Sequence, residues 1–119
     1  MSKRDNPTGE TRRNVVGVSS TADAADFVFL DERDASRCTL TRDGELLSVL
    51  DYRDDGTTIA MTRAYTIPAH RGHGYAARVV AGAVASIAAR GDRRVDPVCW
   101  YVADWFDAHP DKQHLLRRR

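Results

Sequence analysis

Residues 57–90, TTIAMTRAYTIPAHRGHGYAARVVAGAVASIAAR, change hydrophobic period in the middle, and that change decides the fold. Residues 57–67 are rich in Thr, Ile, Met and Tyr, which suit a pleated strand, and the run stops at Pro68. Gly72 and Gly74 then punctuate the chain. From Tyr75 to Arg90, Ala76, Val80, Ala83, Val84 and Ile87 recur at three and four residues, the spacing of one apolar helix stripe. Arg78, Gly82, Ser86 and Arg90 stand four apart on another face, and Gly91-Asp92 ends the helix. The stretch predicts a strand, a glycine-rich turn and an amphipathic helix.

Upstream, Phe27-Val28-Phe29-Leu30 is a compact apolar run suited to open the fold as a strand, ahead of the meander. Residues 37–41 alternate, Asp43-Gly44 marks a hairpin, residues 45–52 continue as a strand, and Asp54-Asp55-Gly56 turns again. Three meandering strands predict an antiparallel sheet. Downstream, residues 94–98 read as a short edge strand carrying Pro97. Val102, Trp105, Phe106 and His109 then repeat at helical spacing, predicting a helix over 100–108 that Pro110 ends, with a last short helix over 111–116. The order β-β-β-α-β-α is an α+β arrangement, turning parallel only where the helix crosses over. Residues 1–25 are polar apart from the 15–18 island and read as a flexible arm, leaving 26–119 as a single domain.

A formal net charge of +1 gives no global field towards nucleic acid or anionic membrane, so any basic site must be local. No apolar run approaches the roughly 20 residues of a membrane helix. The polar N-terminus lacks a signal-peptide pattern, and two cysteines without four-ligand zinc spacing point to a reduced, cytoplasmic protein without a structural metal. One disulfide between Cys38 and Cys99 is left open by the sequence. The basic runs Arg12-Arg13 and Arg117-Arg118-Arg119 read as solvated ends.

The segment that carries chemistry is Pro68-Ala69-His70-Arg71-Gly72-His73-Gly74-Tyr75-Ala76. It lies between a strand and a helix start, where unpaired backbone N–H groups and the helix dipole favour an anion. Glycines let the chain approach a diphosphate closely, and Arg71 adds a forked cation. A tight turn that needs two glycines would look the same.

Arg71-Gly72-His73-Gly74-Tyr75-Ala76 fits the pattern Arg/Gln-x-x-Gly-x-Gly/Ala, and here the chain resembles the GNAT acetyltransferase superfamily. More narrowly it resembles the small YjdJ-type N-acetyltransferase domains, through Asp43-Gly44-Glu45, Asp51-Tyr52-Arg53, the glycine loop, Pro97-Val98-Cys99, and Val102-x-x-Trp105 leading to His109-Pro110. The resemblance implies a GNAT-like fold holding acetyl-CoA in a cleft between two splayed strands, residues 57–67 and 94–98. It implies a diphosphate on Arg71, Gly72, His73, Gly74, Tyr75 and Ala76, and a pantetheine arm bonded to the backbone of Thr66 and Ile67. The acetyl carbonyl would lie near Cys99, and an amine would be the acceptor: a protein lysine, a peptide or a small amine.

Cys99 stands between a strand and a helix, a junction that lowers a thiol pKa, so it is the candidate catalytic residue, as an acyl-accepting nucleophile or a wall of the acetyl pocket. Cys38, within a strand, is structural. His70 and His73 flank Arg71 outside the specified motif positions, and His109 is placed to cap helix carbonyls. Trp100, Trp105 and Phe106 read as core or pocket wall. No Asp or Glu occurs between Gly56 and Gly91, so the acidic base common in such enzymes has no candidate there; Tyr65 stands where relatives often carry one. Asp104 and Asp107 read as solvent-facing. The alternatives are a non-catalytic acyl-CoA-binding module and a basic-tailed module for nucleic acid.

Overall fold

The computed structural model describes residues 27–117. The expected arm, with its 15–18 island, and two of the three C-terminal arginines lie outside them.

Five strands form one sheet: β1 (Phe27–Glu32), β2 (Arg37–Arg42), β3 (Glu45–Asp54), β4 (Thr58–Thr66) and β5 (Arg94–Asp96). They lie in sequence order, the first four antiparallel and β5 parallel to β4. The helix α1 (Tyr75–Arg90) makes the crossover between β4 and β5, and α2 (Trp100–Asp107) follows β5. The meander has four strands rather than three. The Phe27 run pairs along the whole of β2, because Phe27 and Phe29 turn inward onto the core while Val28 and Leu30 turn out.

The turns follow from local chemistry. Asp43 and Gly44 both adopt positive φ, 52° and 79°, as a two-residue hairpin between Arg42 and Glu45 requires. At the next turn Asp55 Oδ1 accepts from the Thr57 and Thr58 N–H groups at 2.9 and 2.8 Å. These donors hold the Asp55 carboxyl below its usual range.

α1 lies across β2, β3 and β4, and it buries Tyr75, Val79, Val80, Ala83, Val84 and Ile87. Each larger apolar side chain there contributes roughly 1.5–3 kcal/mol. The stripe therefore runs through Tyr75 and Val79; Ala76, placed on it from the sequence, is only half-buried. The four-apart face is partly covered by β1. A Cβ on Gly82 would come within 2.7 Å of the Phe29 ring, and the Arg78 guanidinium lies 4.2 Å over the Phe27 ring centroid. β1 has closed over that side of the helix, and Gly82 permits the approach. α2 buries Val102, Trp105 and Phe106 against α1 and β4.

Two C-terminal expectations need correction. β5 ends at Asp96 rather than at residue 98, since Pro97 has no N–H to donate and the Val98 N–H folds back onto the Asp96 carbonyl at 2.9 Å. The last element is a 3-10 segment, Pro110–Leu115, after which the Arg117 N–H bonds the Val95 carbonyl.

Candidate functional site

β4 and β5 stay paired only from Thr58–Arg94 to Ala60–Asp96. One further backbone bond crosses between their extensions, from the Cys99 N–H to the Met61 carbonyl at 2.9 Å. At that level β4 carries a bulge: Tyr52 pairs with Met61 and Asp51 with Arg63, leaving Thr62 without a partner. A bulge bends and twists its strand. With Pro97 ending β5 at the same level, the two strands part and a cleft opens.

The cleft holds about 370 Å³, within the range of small-molecule sites. Ala64, Tyr65 and Thr66 of β4 line one side, Arg71 and Ala76 its end, and Cys99, Trp100 and Tyr101 the other side. Residues distant in sequence, Thr66, Arg71, Ala76 and Cys99, are thus brought together as expected.

The glycine loop has the geometry of an anion seat. Gly72 and Gly74 take φ of 89° and 77°, and a Cβ on either would meet nothing within 4 Å. Gly74 caps α1 with no side-chain cap bond, and the first helical bond runs from the Arg78 N–H to the Gly74 carbonyl. The N–H groups of Tyr75, Ala76 and Ala77 precede that bond, so they have no helical acceptor and carry the positive end of a 16-residue helix. The Tyr75 side chain is buried, so only its backbone faces the loop. Arg71 reaches back towards the end of β4, its Nε 3.4 Å from the Thr66 carbonyl and its guanidinium 5.8 Å from the Tyr65 ring centroid.

At Ile67 the backbone is already engaged within the protein. Its N–H already donates to the Leu47 carbonyl at 2.9 Å and its carbonyl accepts from His70, because the chain end of β4 is still tied to β3. Ile67 has no backbone donor left for a ligand, and Thr66 remains the backbone candidate at the cleft. His73, also expected at the phosphate site, stacks on the Tyr75 ring at 5.4 Å outside the cleft wall. His70 Nε2 lies 2.7 Å from Glu45 Oε2, which ties the loop to the start of β3. His109 is parallel to Trp105, 3.9 Å between ring centroids, and its Nδ1 donates to the Trp105 carbonyl, the helix-end role the sequence predicts.

Cys99 is half-buried at the N-cap of α2 and lines the cleft, whereas Cys38 is buried; both thiols are free. Burial, with Asp31 beside it, pushes the Cys38 thiol up from 9.0 to about 12. Trp105 and Phe106 belong to the core, but Trp100 is 73% exposed and stands on the cleft rim. Asp104 and Asp107 are exposed and away from the cleft, whose wall carries no carboxylate among the described residues.

Tyr101 is the wall residue that the sequence did not single out. Its phenol is half-buried, and burial raises its pKa. Nothing in its spacing separates it from a core aromatic; only the opening of the strands puts it beside Cys99.

Among the described residues no His/Cys/Asp/Glu group could hold a metal ion, and no helix is long and apolar enough to cross a membrane. A four-strand meander, a glycine-loop crossover helix and a parallel strand splayed from its neighbour are the architecture of an acyltransferase. A family model described as GCN5-related N-acetyl-transferase matches residues 37–115, and the chain belongs to that family. A search of curated proteins finds no match.

Proposed function

We propose that the domain transfers an acetyl group from acetyl-CoA to an amine in the cytoplasm. The observation that carries this reading is the continuity of one surface, from the unpaired N–H groups of α1 through Arg71 and Thr66 to Cys99 and Tyr101.

The Tyr75–Ala77 N–H groups and Arg71 would hold the diphosphate of the donor. The exposed edge of β4 at Thr66 would guide the pantetheine arm towards the gap, and the thioester would come beside Cys99. In direct transfer the amine nitrogen bonds the acetyl carbon, the C–S bond breaks, and the sulfur leaves as a thiolate. Tyr101, kept protonated by burial, is placed to give that thiolate its proton. The amine's own proton passes to water, since no carboxylate among the described residues lines the wall. In the covalent route the Cys99 thiol loses its proton to water and its sulfur bonds the acetyl carbon, CoA leaving as the thiolate that Tyr101 protonates. The amine then bonds the acetyl carbon and the Cys99 C–S bond breaks, freeing the Cys99 sulfur.

The missing carboxylate is the observation that favours the second reading, a non-catalytic acyl-CoA-binding module. Release of CoA thiol from acetyl-CoA, measured with a panel of amines, decides between them. Tight CoA binding with no amine-dependent release would establish the binding module; amine-dependent release that falls in Tyr101→Phe would support transfer, and its further loss in Cys99→Ala would assign the covalent route.

A further inference from the structure

Resting on the transfer reading, the walls of the cleft restrict what kind of amine can be the acceptor. One rim is the Trp100 indole, 73% exposed, with Val98 beside it at 56%. Tyr101 braces the indole edge-on, 5.8 Å between centroids, so this apolar wall is preformed. The opposite wall is Tyr65, and its ring is already occupied by a cation: the Arg63 guanidinium lies 4.6 Å from the ring centroid, with Arg71 at 5.8 Å.

Among the described residues the charge around that ring is unbalanced. On the sheet face that carries Arg63, its carboxylate partner is Asp51, 3.7 Å from Arg63 Nη1 and also 3.5 Å from Arg37 Nε. One carboxylate therefore serves two guanidinium groups, and Arg63 keeps a side chain 62% exposed. A polyamine or a lysine side chain flanked by basic residues would bring a further cation here. Among the described residues it would find no carboxylate on the wall, and a Tyr65 ring already engaged by Arg63.

We infer that the acceptor is an aromatic or apolar amine that carries a carboxylate, its apolar body against Trp100 and its carboxylate on Arg63. A guanidinium suits a carboxylate through paired N–H donors, and an exposed indole gains by covering its face. In this pose the acceptor amine lies between the two rims, next to Cys99 and Tyr101, and reacts by the steps given above.

The test uses the full chain loaded with CoA and titrated by calorimetry with 4-aminobenzoate, L-phenylalanine, spermidine and a lysine-containing peptide. The first two should bind more tightly than the last two. Arg63→Gln and Trp100→Ala should each weaken 4-aminobenzoate about tenfold or more, the size expected for a lost charged hydrogen bond. Both variants should keep the wild-type thermal shift with CoA, which shows that they fold and hold the donor. The inference is overturned if spermidine or the lysine peptide binds as tightly as the aromatic carboxylates. It is equally overturned if the aromatic carboxylates do not bind, or if Arg63→Gln leaves their affinity unchanged. Loss of the transfer reading looks different: whatever the order of affinities, no amine of the panel would then release CoA thiol from acetyl-CoA.

Discussion

Replacing Gly74 with glutamate separates the cost of backbone geometry from the cost to the ligand. Gly74 and Gly44 have nearly the same φ, 77° and 79°, and at neither does an added Cβ meet an atom within 4 Å. In the free protein Gly74→Glu and Gly44→Glu should therefore each lose the left-handed backbone strain alone, about 1–2 kcal/mol. Each kcal/mol lowers the Tm of a domain this size by roughly 4–8 °C. The new carboxylate at position 74 sits at the positive end of α1, which returns about 0.3–1 kcal/mol, so this variant should melt slightly above its Gly44 counterpart. With CoA the order reverses. At about 100 times the dissociation constant, CoA should add roughly 2.7 kcal/mol to the wild-type protein and to Gly44→Glu. In Gly74→Glu a carboxylate about 4 Å from a phosphate charge costs on the order of 1–4 kcal/mol. A hundredfold loss of affinity leaves about 0.4 kcal/mol of stabilisation at the same CoA concentration. Thermal scans of the three proteins with and without CoA measure all of this. A Gly74→Glu protein that keeps the full CoA shift would refute the placement of the diphosphate on this loop.

Arg71→Ala should weaken CoA by roughly 1–3 kcal/mol while leaving the free protein within about 0.5 kcal/mol of wild type, since its contact with Thr66 is long and exposed; calorimetry and melting check the two halves. Intact mass spectrometry after mixing with acetyl-CoA should show one acetyl adduct at Cys99 that is absent in Cys99→Ser, and an adduct at Cys38 instead would place the thioester wrongly. Tyr101→Phe should lower kcat by about a hundredfold or more with the CoA-induced Tm shift intact, and an unchanged kcat would remove the phenol as proton donor. Alkaline pH tests the buried thiol. Because folding raises the Cys38 pKa from 9.0 to about 12, the unfolded chain loses this proton first, so stability is complete below pH 9 and declines as pH rises towards 12. Tyr52, whose hydroxyl donates to Asp31 at 2.6 Å and whose pKa is raised by burial, acts in the same sense. Cys38→Ala should flatten this alkaline limb in chemical denaturation measured from pH 8 to 11, and an identical limb would assign it to other groups.

The sequence by itself determined the elements whose causes are local. The glycine after Asp43 fixes a hairpin, the three- and four-residue spacing fixes α1, and glycine at 72 and 74 marks the tight turn into α1, since each depends on φ preferences or periodicity within a few residues. Tertiary structure decided whatever depends on contact between distant segments. That Phe27–Glu32 is a full strand rests on its pairing with β2 and on the space Gly82 leaves for Phe29. That the Ile67 N–H is spent on Leu47 rests on where β4 stops separating from β5 but remains bound to β3. The cleft itself comes from a bulge at Thr62 and from Pro97 meeting at one level across the sheet, with no residue type in β4 to announce the bulge. Tyr101 and the exposed Trp100 come to line one cleft with Tyr65 only through that opening. A side chain's role there depends on which strand edge is left unpaired, and pairing is a property of the whole sheet.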